Sequence, residues 1–148
     1  MINKYVIRTL FALLCFVISI LITIPALGET VFGPKQYVRT SGAPNTYTDT
    51  FLSAGGSGSL IIRNGNASGT DRIEGTDTIT SAKVYINGTL IFGPSDFKSS
   101  VYSMERSVPL SNGANTLYAE LSSSPGSYFS AEVTGVATPI ALDILTVS

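Results

Sequence analysis

The sequence predicts an all-β, antiparallel fold, a sandwich or barrel, and three observations carry that prediction. Short β-rich runs follow one another from residue 29 onward, separated by clusters of Gly, Pro, Asn and Ser. Within several runs apolar and polar residues alternate with the period of two that belongs to a strand. Asn87-Gly88 then sits between two such runs, and both residues tolerate the positive φ that a two-residue type I′ hairpin demands. No stretch after residue 28 sustains a helical period.

The first 28 residues belong to a different class. Lys4 and Arg8 open the chain without an acid, Leu10 to Ile24 is almost wholly apolar, and Pro25 ends the run. Ala26 and Gly28 then place small residues at −3 and −1 of a cut before Glu29. A basic start, an apolar centre and a small-residue exit describe a secretory signal peptide over residues 1–28, ahead of one β domain over 29–148. The competing reading is an uncleaved anchor, because a spanning helix needs about 20 apolar residues. Cys15 does not convert the segment into a lipoprotein signal, since Leu14 before it is not small.

The elements follow in order. Tyr37 to Thr40 is the first strand, closed by Ser41-Gly42-Ala43-Pro44. Tyr47, Asp49 and Phe51 alternate with Thr46, Thr48 and Thr50 in a strand with two unlike faces. Ala54 to Gly58 reads as a flexible turn, Leu60-Ile61-Ile62 as a strand buried on both faces, and Asn64 to Asp77 as a long polar loop. Ala82 to Ile86 and Thr89 to Phe92 form the hairpin about Asn87-Gly88. A strand over 101–110 is followed by a second expected turn at Asn112-Gly113, then by a strand holding Leu117, Ala119 and Leu121. Pro125-Gly126 suits a type II turn before a strand from Tyr128 to Val133. Pro139 to Ser148 is apolar enough to be a last strand, pairing either within the chain or with a neighbouring subunit.

Val31-Phe32-Gly33-Pro34-Lys35-Gln36-Tyr37 and Ile91-Phe92-Gly93-Pro94-Ser95-Asp96-Phe97 share a pattern at an offset of 60 residues. Two half-sandwiches would give it, but so would two strand ends where Gly-Pro turns the chain, and the second reading is preferred. Together VFGPKQYVRT, the hairpin NGTLIFGPSDF, the run LSNGANTLYAEL and SPGSYFSAEV resemble a recurrent module of bacterial secreted and surface proteins. The resemblance covers about residues 31–135, and GPSDF after an Asn-Gly hairpin is its most specific part. It implies an immunoglobulin-like antiparallel β-sandwich of about seven to eight strands, with no established enzymatic activity.

Composition removes whole classes of function. After residue 28 there are seven basic and ten acidic side chains, a net charge of −3, which lacks the basic footprint that nucleic acid requires. The chain has no His and no Trp, and its single Cys, Cys15, lies in the export segment. Ser-His-Asp and Cys-His catalysis and ordinary zinc sites are therefore excluded, and no phosphate-binding glycine loop is present. Asp71, Glu74 and Asp77 offer hard oxygens that could hold calcium. With Arg72 among them they read first as a solvated loop, and no cofactor is expected. Asp96 after Gly93-Pro94 reads as a turn cap. Most tyrosines are assigned to core and cross-strand packing. Asn66-Ala67-Ser68 fits the N-glycosylation pattern, which has no consequence in a bacterial protein. What remains is a non-catalytic structural, adhesive or interaction module outside the cell, with a carbohydrate-binding module as the alternative. Its partners would be an extracellular protein, a glycan or its own edge strands, and a membrane only through an uncleaved N-terminal segment.

Overall fold

The computed structural model describes residues 28–65 and 77–138. The export segment, most of the polar loop including Asp71 and Glu74, and the expected last strand over 139–148 lie outside the described residues.

Six strands form: β1 (Glu29–Val38), β2 (Asn45–Asn64), β3 (Ala82–Ile86), β4 (Thr89–Phe92), β5 (Ser103–Leu121) and β6 (Tyr128–Gly135). They join one antiparallel sheet in the order β1-β6-β2-β5-β3-β4. β2 and β5 pair along almost their whole length, from Asn45↔Leu121 to Arg63↔Ser103. Their other neighbours take only parts of them. β6 lies against Ser59 to Asn64 of β2, and β3 against Leu117 to Leu121 of β5.

The sheet therefore has two arms joined through the middle of the β2–β5 ribbon, and the arms pack face to face. One layer is β4, β3, the C-terminal half of β5 and the N-terminal half of β2. The other is β1, β6, the C-terminal half of β2 and the N-terminal half of β5. Ring contacts cross between them although β1 and β2 are not neighbours in the sheet. Phe32 meets Phe51 at 5.4 Å and Tyr37 meets Tyr47 at 5.3 Å. The chain is thus an antiparallel β-sandwich, with β2 and β5 each serving in both layers.

Packing follows from alternation, with one correction along the way. In the first half of β2 the inward set is odd, with Phe51 and Ser53 buried and Tyr47 and Asp49 half-buried. In the second half it is even, Leu60, Ile62 and Asn64. β5 changes in the opposite sense, from Val108 and Leu110 to Asn115, Leu117, Ala119 and Leu121. The changeover needs irregular backbone, supplied by Gly55 and Gly56 in β2 (φ 85° and 92°) and Gly113 in β5 (φ 96°). Neither Ala54 to Gly58 nor Asn112-Gly113 is a turn; both lie inside continuous strands and mark the crossing between layers.

The expectation that Leu60-Ile61-Ile62 is buried on both faces is also corrected, because Ile61 is only half-buried and points outward. β1 starts eight residues earlier than the expected Tyr37 and carries the cis Gly33-Pro34 bond within it. The aromatic ends of the two Phe-Gly-Pro segments converge in the core. Tyr37 and Phe97 both pack on Phe129, at 5.3 Å and 5.8 Å. Full burial of side chains such as Leu60, Ile62, Leu117 and Phe129 contributes about 1.5–3 kcal/mol each.

Candidate binding surfaces

The turn residues singled out in the sequence have local, structural surroundings. Asn87 and Gly88 link β3 to β4 with φ of 50° and 78°. Gly93 precedes a 3-10 turn over Pro94–Asp96, and the Asp96 Oδ2 accepts the Gly93 N–H at 2.8 Å. Arg106 of β5 reaches the same carboxylate at 2.6 Å and donates a second bond to the Ile91 carbonyl. Burial opposes ionisation of Asp96, but the Gly93 amide and the Arg106 guanidinium together hold it below the usual carboxylate range. Gly126 has φ 89° in a turn closed by Ser127 N–H onto the Ser124 carbonyl at 3.2 Å. Of the three acids considered for calcium, only Asp77 is described. It holds the Tyr128 hydroxyl, and burial together with that acid raises the phenol pKa. No group of three or more Cys, Asp or Glu with metal-binding geometry occurs among the described residues.

Two buried asparagines organise the ends of the sandwich. Asn64 gives its amide to the carbonyls of Ile79 and Val101 at 2.9 and 3.0 Å and accepts the Ile79 N–H at 2.8 Å. Asn115 bonds Ser53, the Ser111 N–H and carbonyl, and the Asn87 side chain. Asp49 is drawn into the layer contact, accepting Lys35 at 2.5 Å and the buried Tyr37 hydroxyl at 2.7 Å. These networks fix backbone, and nothing in them faces solvent as an array of reactive groups.

The outer face of the β4-β3-β5-β2 layer is different. Cross-strand register puts Leu90, Tyr85, Tyr118 and Thr48 in one row over four strands. At about 4.8 Å between strands, that row is roughly 14 Å long. The Tyr85 and Tyr118 rings meet edge-on, with centroids 5.6 Å apart, and both are half-exposed. Neither hydroxyl has a hydrogen-bond partner among the described residues. In the next row Lys83 and Glu120 pair at 3.0 Å beside Thr46, and Thr116 stands opposite Thr50 on the far side. Sequence reasoning placed most tyrosines in the core. The signal that separates these two is their position between inward neighbours, Val84 and Ile86 for Tyr85, Leu117 and Ala119 for Tyr118.

A second concavity lies on the outer face of the other layer. An open groove of about 310 Å³ is lined by Gly28, Ser57, Gly58, Ser59, Ser107 and the β6 end Thr134 to Val136. Ser57 and Ser107 hydroxyls bond to each other at 3.1 Å. Gly58 is obligatory on its own account, since a Cβ there would stand 2.4 Å from the Thr134 carbonyl oxygen and 2.6 Å from the Leu110 side chain. Reading residues 54–58 as a turn hid this groove from the sequence.

No family model matches the sequence, and no curated protein does. Among solved structures the chain is similar to a family 35 carbohydrate binding module from an environmental isolate, with 16% identity, 76% of this chain and 88% of that one covered, and a TM-score of 0.43. A family 35 carbohydrate binding module from Clostridium thermocellum gives 14% identity, coverage of 75% and 98%, and a TM-score of 0.43. CBM35 from Paenibacillus barcinonensis gives 14%, 76% and 100%, and 0.42. Superpositions this loose transfer neither family nor ligand to this chain.

Proposed function

We propose that the chain is an exported, non-catalytic binding module that holds carbohydrate on the outer face of its β4-β3-β5-β2 layer. The observation that carries this reading is the pair of half-exposed tyrosines, Tyr85 and Tyr118, whose hydroxyls have no partner among the described residues. A sugar ring offers an apolar face to an aromatic ring and hydroxyls to its rim, and tyrosine serves both at low entropic cost. Thr46, Thr48, Thr50 and Thr116 surround the pair with further donors and acceptors on an exposed sheet. The ion pair Lys83–Glu120 leaves the local charge near zero, which suits a neutral ligand.

The test is a glycan array followed by calorimetric titration of the best oligosaccharide against the chain from Glu29 onward. Tyr85→Ala and Tyr118→Ala each weaken binding by about 0.5–1.5 kcal/mol, roughly two- to twelvefold, while the melting temperature holds within a few degrees. Binding that survives the double substitution overturns the reading.

Adhesion through strand addition is the second reading, and one edge favours it. The N-terminal half of β2 pairs with β5 on one side and, among the described residues, with no strand on the other. It carries neither Pro nor Lys between Asn45 and Ala54, whereas the β1 edge holds Pro34 and Lys35 and the β5 edge holds Pro109. Concentration-dependent assembly without ligand, seen by sedimentation, supports it; a monomer at every concentration removes it.

A further inference from the structure

We propose that the hydroxyl-lined groove on the β1-β6-β2-β5 face is a second site for a neutral sugar ring, opened when the export signal is cut between Gly28 and Glu29. This rests on the carbohydrate reading above for the class of ligand, but on different residues for the site. The groove, at about 310 Å³, lies at the small end of the range for ligand pockets. Ser57, Ser59, Ser107 and Thr134 line it, and each hydroxyl both donates and accepts, as a polyol ligand requires. No charged side chain is in the lining. An ionised ligand would lose its hydration there without a counter-charge, so the groove selects against it.

Gly28 connects the groove to processing. In the β1–β6 register Glu29 stands opposite Gly135 and Thr30 opposite Thr134, so the residue before Glu29 continues along the rim. A Cβ on Gly28 would stand 3.6 Å from both Cβ and Oγ1 of Thr134 and 3.8 Å from the Gly135 nitrogen. Gly28 therefore covers one of the four hydroxyl-bearing residues. Ala26 and Gly28 are also the small residues that place the expected cut directly after Gly28. Cutting there removes that part of the wall and uncovers Thr134 without disturbing the β1–β6 pairing from Glu29 onward.

Two chains test this, one beginning at Glu29 and one retaining Ala26-Leu27-Gly28. Each is titrated with neutral gluco-, xylo-, manno- and galacto-oligosaccharides while the amide resonances of Ser57, Ser59, Ser107 and Thr134 are followed. The chain from Glu29 shows saturable shifts at these four residues, and the longer chain binds roughly tenfold or more weakly. Ser59→Ala with Ser107→Ala weakens groove binding in the shorter chain and leaves its fold intact, because Ser107 is exposed and Ser59 half-buried on the outer face. Equal affinity of the two chains, or an exported protein whose intact mass retains Gly28, overturns the gating. Shifts confined to the Tyr85 and Tyr118 face remove the groove and leave the tyrosine site standing. Silence at both faces removes both.

Discussion

The dipeptide Asn-Gly occurs twice in the described domain, at 87–88 and 112–113, and the chain does opposite things at the two places. At Asn87-Gly88 it reverses, so that Ile86 stands opposite Thr89. At Asn112-Gly113 it runs on through a 19-residue strand, with Asn112 opposite Ala54 and Gly113 opposite Ser53. Both glycines have positive φ, 78° and 96°. The difference lies in the asparagine, since Asn87 is the single non-glycine residue with positive φ among the described residues. A type I′ turn requires both central residues there. With Asn112 in the ordinary region the same dipeptide gives a kink instead. Its partner strand explains the choice, because Gly55 and Gly56 bend in concert with it and let the paired ribbon cross from one layer to the other. Asn115 ties the two sites together, bonding Ser111 and Gly113 around the kink and Asn87 at the hairpin.

The largest expected effect lies at the crossing. Gly55→Val places a β-branched residue at φ 85° with its Cβ 2.9 Å from the Asn112 nitrogen. Strain and overpacking together cost about 2–5 kcal/mol, read as the shift in urea unfolding of the chain from Glu29. Asn115→Ala follows, at about 1–3 kcal/mol, because it strands buried partners at both Asn-Gly sites. A double cycle with Asn87→Ala should give a positive coupling; additivity would mean that the two sites are independent. Gly88→Val meets open space and so loses only the conformational cost of about 1–2 kcal/mol. Gly126→Ala, also in open space at φ 89°, loses less again, about 1 kcal/mol. If Gly55→Val and Gly88→Val unfold at the same urea concentration, the crossing is no more constrained than the turn and the comparison fails.

This pair also shows how far the sequence could be read. Alternation in Tyr47 to Phe51, in Val84 and Ile86, and in Leu117 to Leu121 fixes which faces pack, and the antiparallel sandwich follows from it. Continuity could not be read. Ala54-Gly55-Gly56 and Asn112-Gly113 look like chain reversals because glycine reports permitted backbone, not direction, and only the facing strand decides between a turn and a kink. The same error concealed the groove, since Ser57 and Ser59 become outward strand positions only when β2 is seen to continue. Tyr85 and Tyr118 were legible in principle, each flanked by inward apolar residues. Their meeting at 5.6 Å depends on the β3–β5 register, which no local pattern specifies.

The smallest effect sharpens the comparison by pH. Between Leu52 and Gly58, and between Pro109 and Asn115, no residue titrates, so the crossing itself is indifferent to acid. The hairpin is not, because Asp96 fastens its exit to β5 through Arg106. Burial raises the Asp96 pKa, but the Gly93 amide and Arg106 outweigh it and the folded value lies below the ordinary 3.8. A carboxylate with a lowered folded pKa contributes stability that is present above its unfolded pKa and is lost as pH falls through the folded one. The pair is largely exposed, so its contribution is of the modest size usual for surface ion pairs. Asp49 behaves in the same sense at the β1 contact, where burial is likewise outweighed by Lys35 and Tyr37. Hydrogen exchange followed from about pH 5 to about pH 2.5, corrected for the intrinsic rates, should therefore show protection falling at Gly93 and around Ile91 before it falls at Ser53 and Asn115. Asp96→Asn should flatten that difference by loosening the hairpin exit at every pH. Simultaneous loss of protection at both places in the native sequence would mean that the hairpin exit and the crossing open as one unit, and the distinction between turn and kink would have no counterpart in stability.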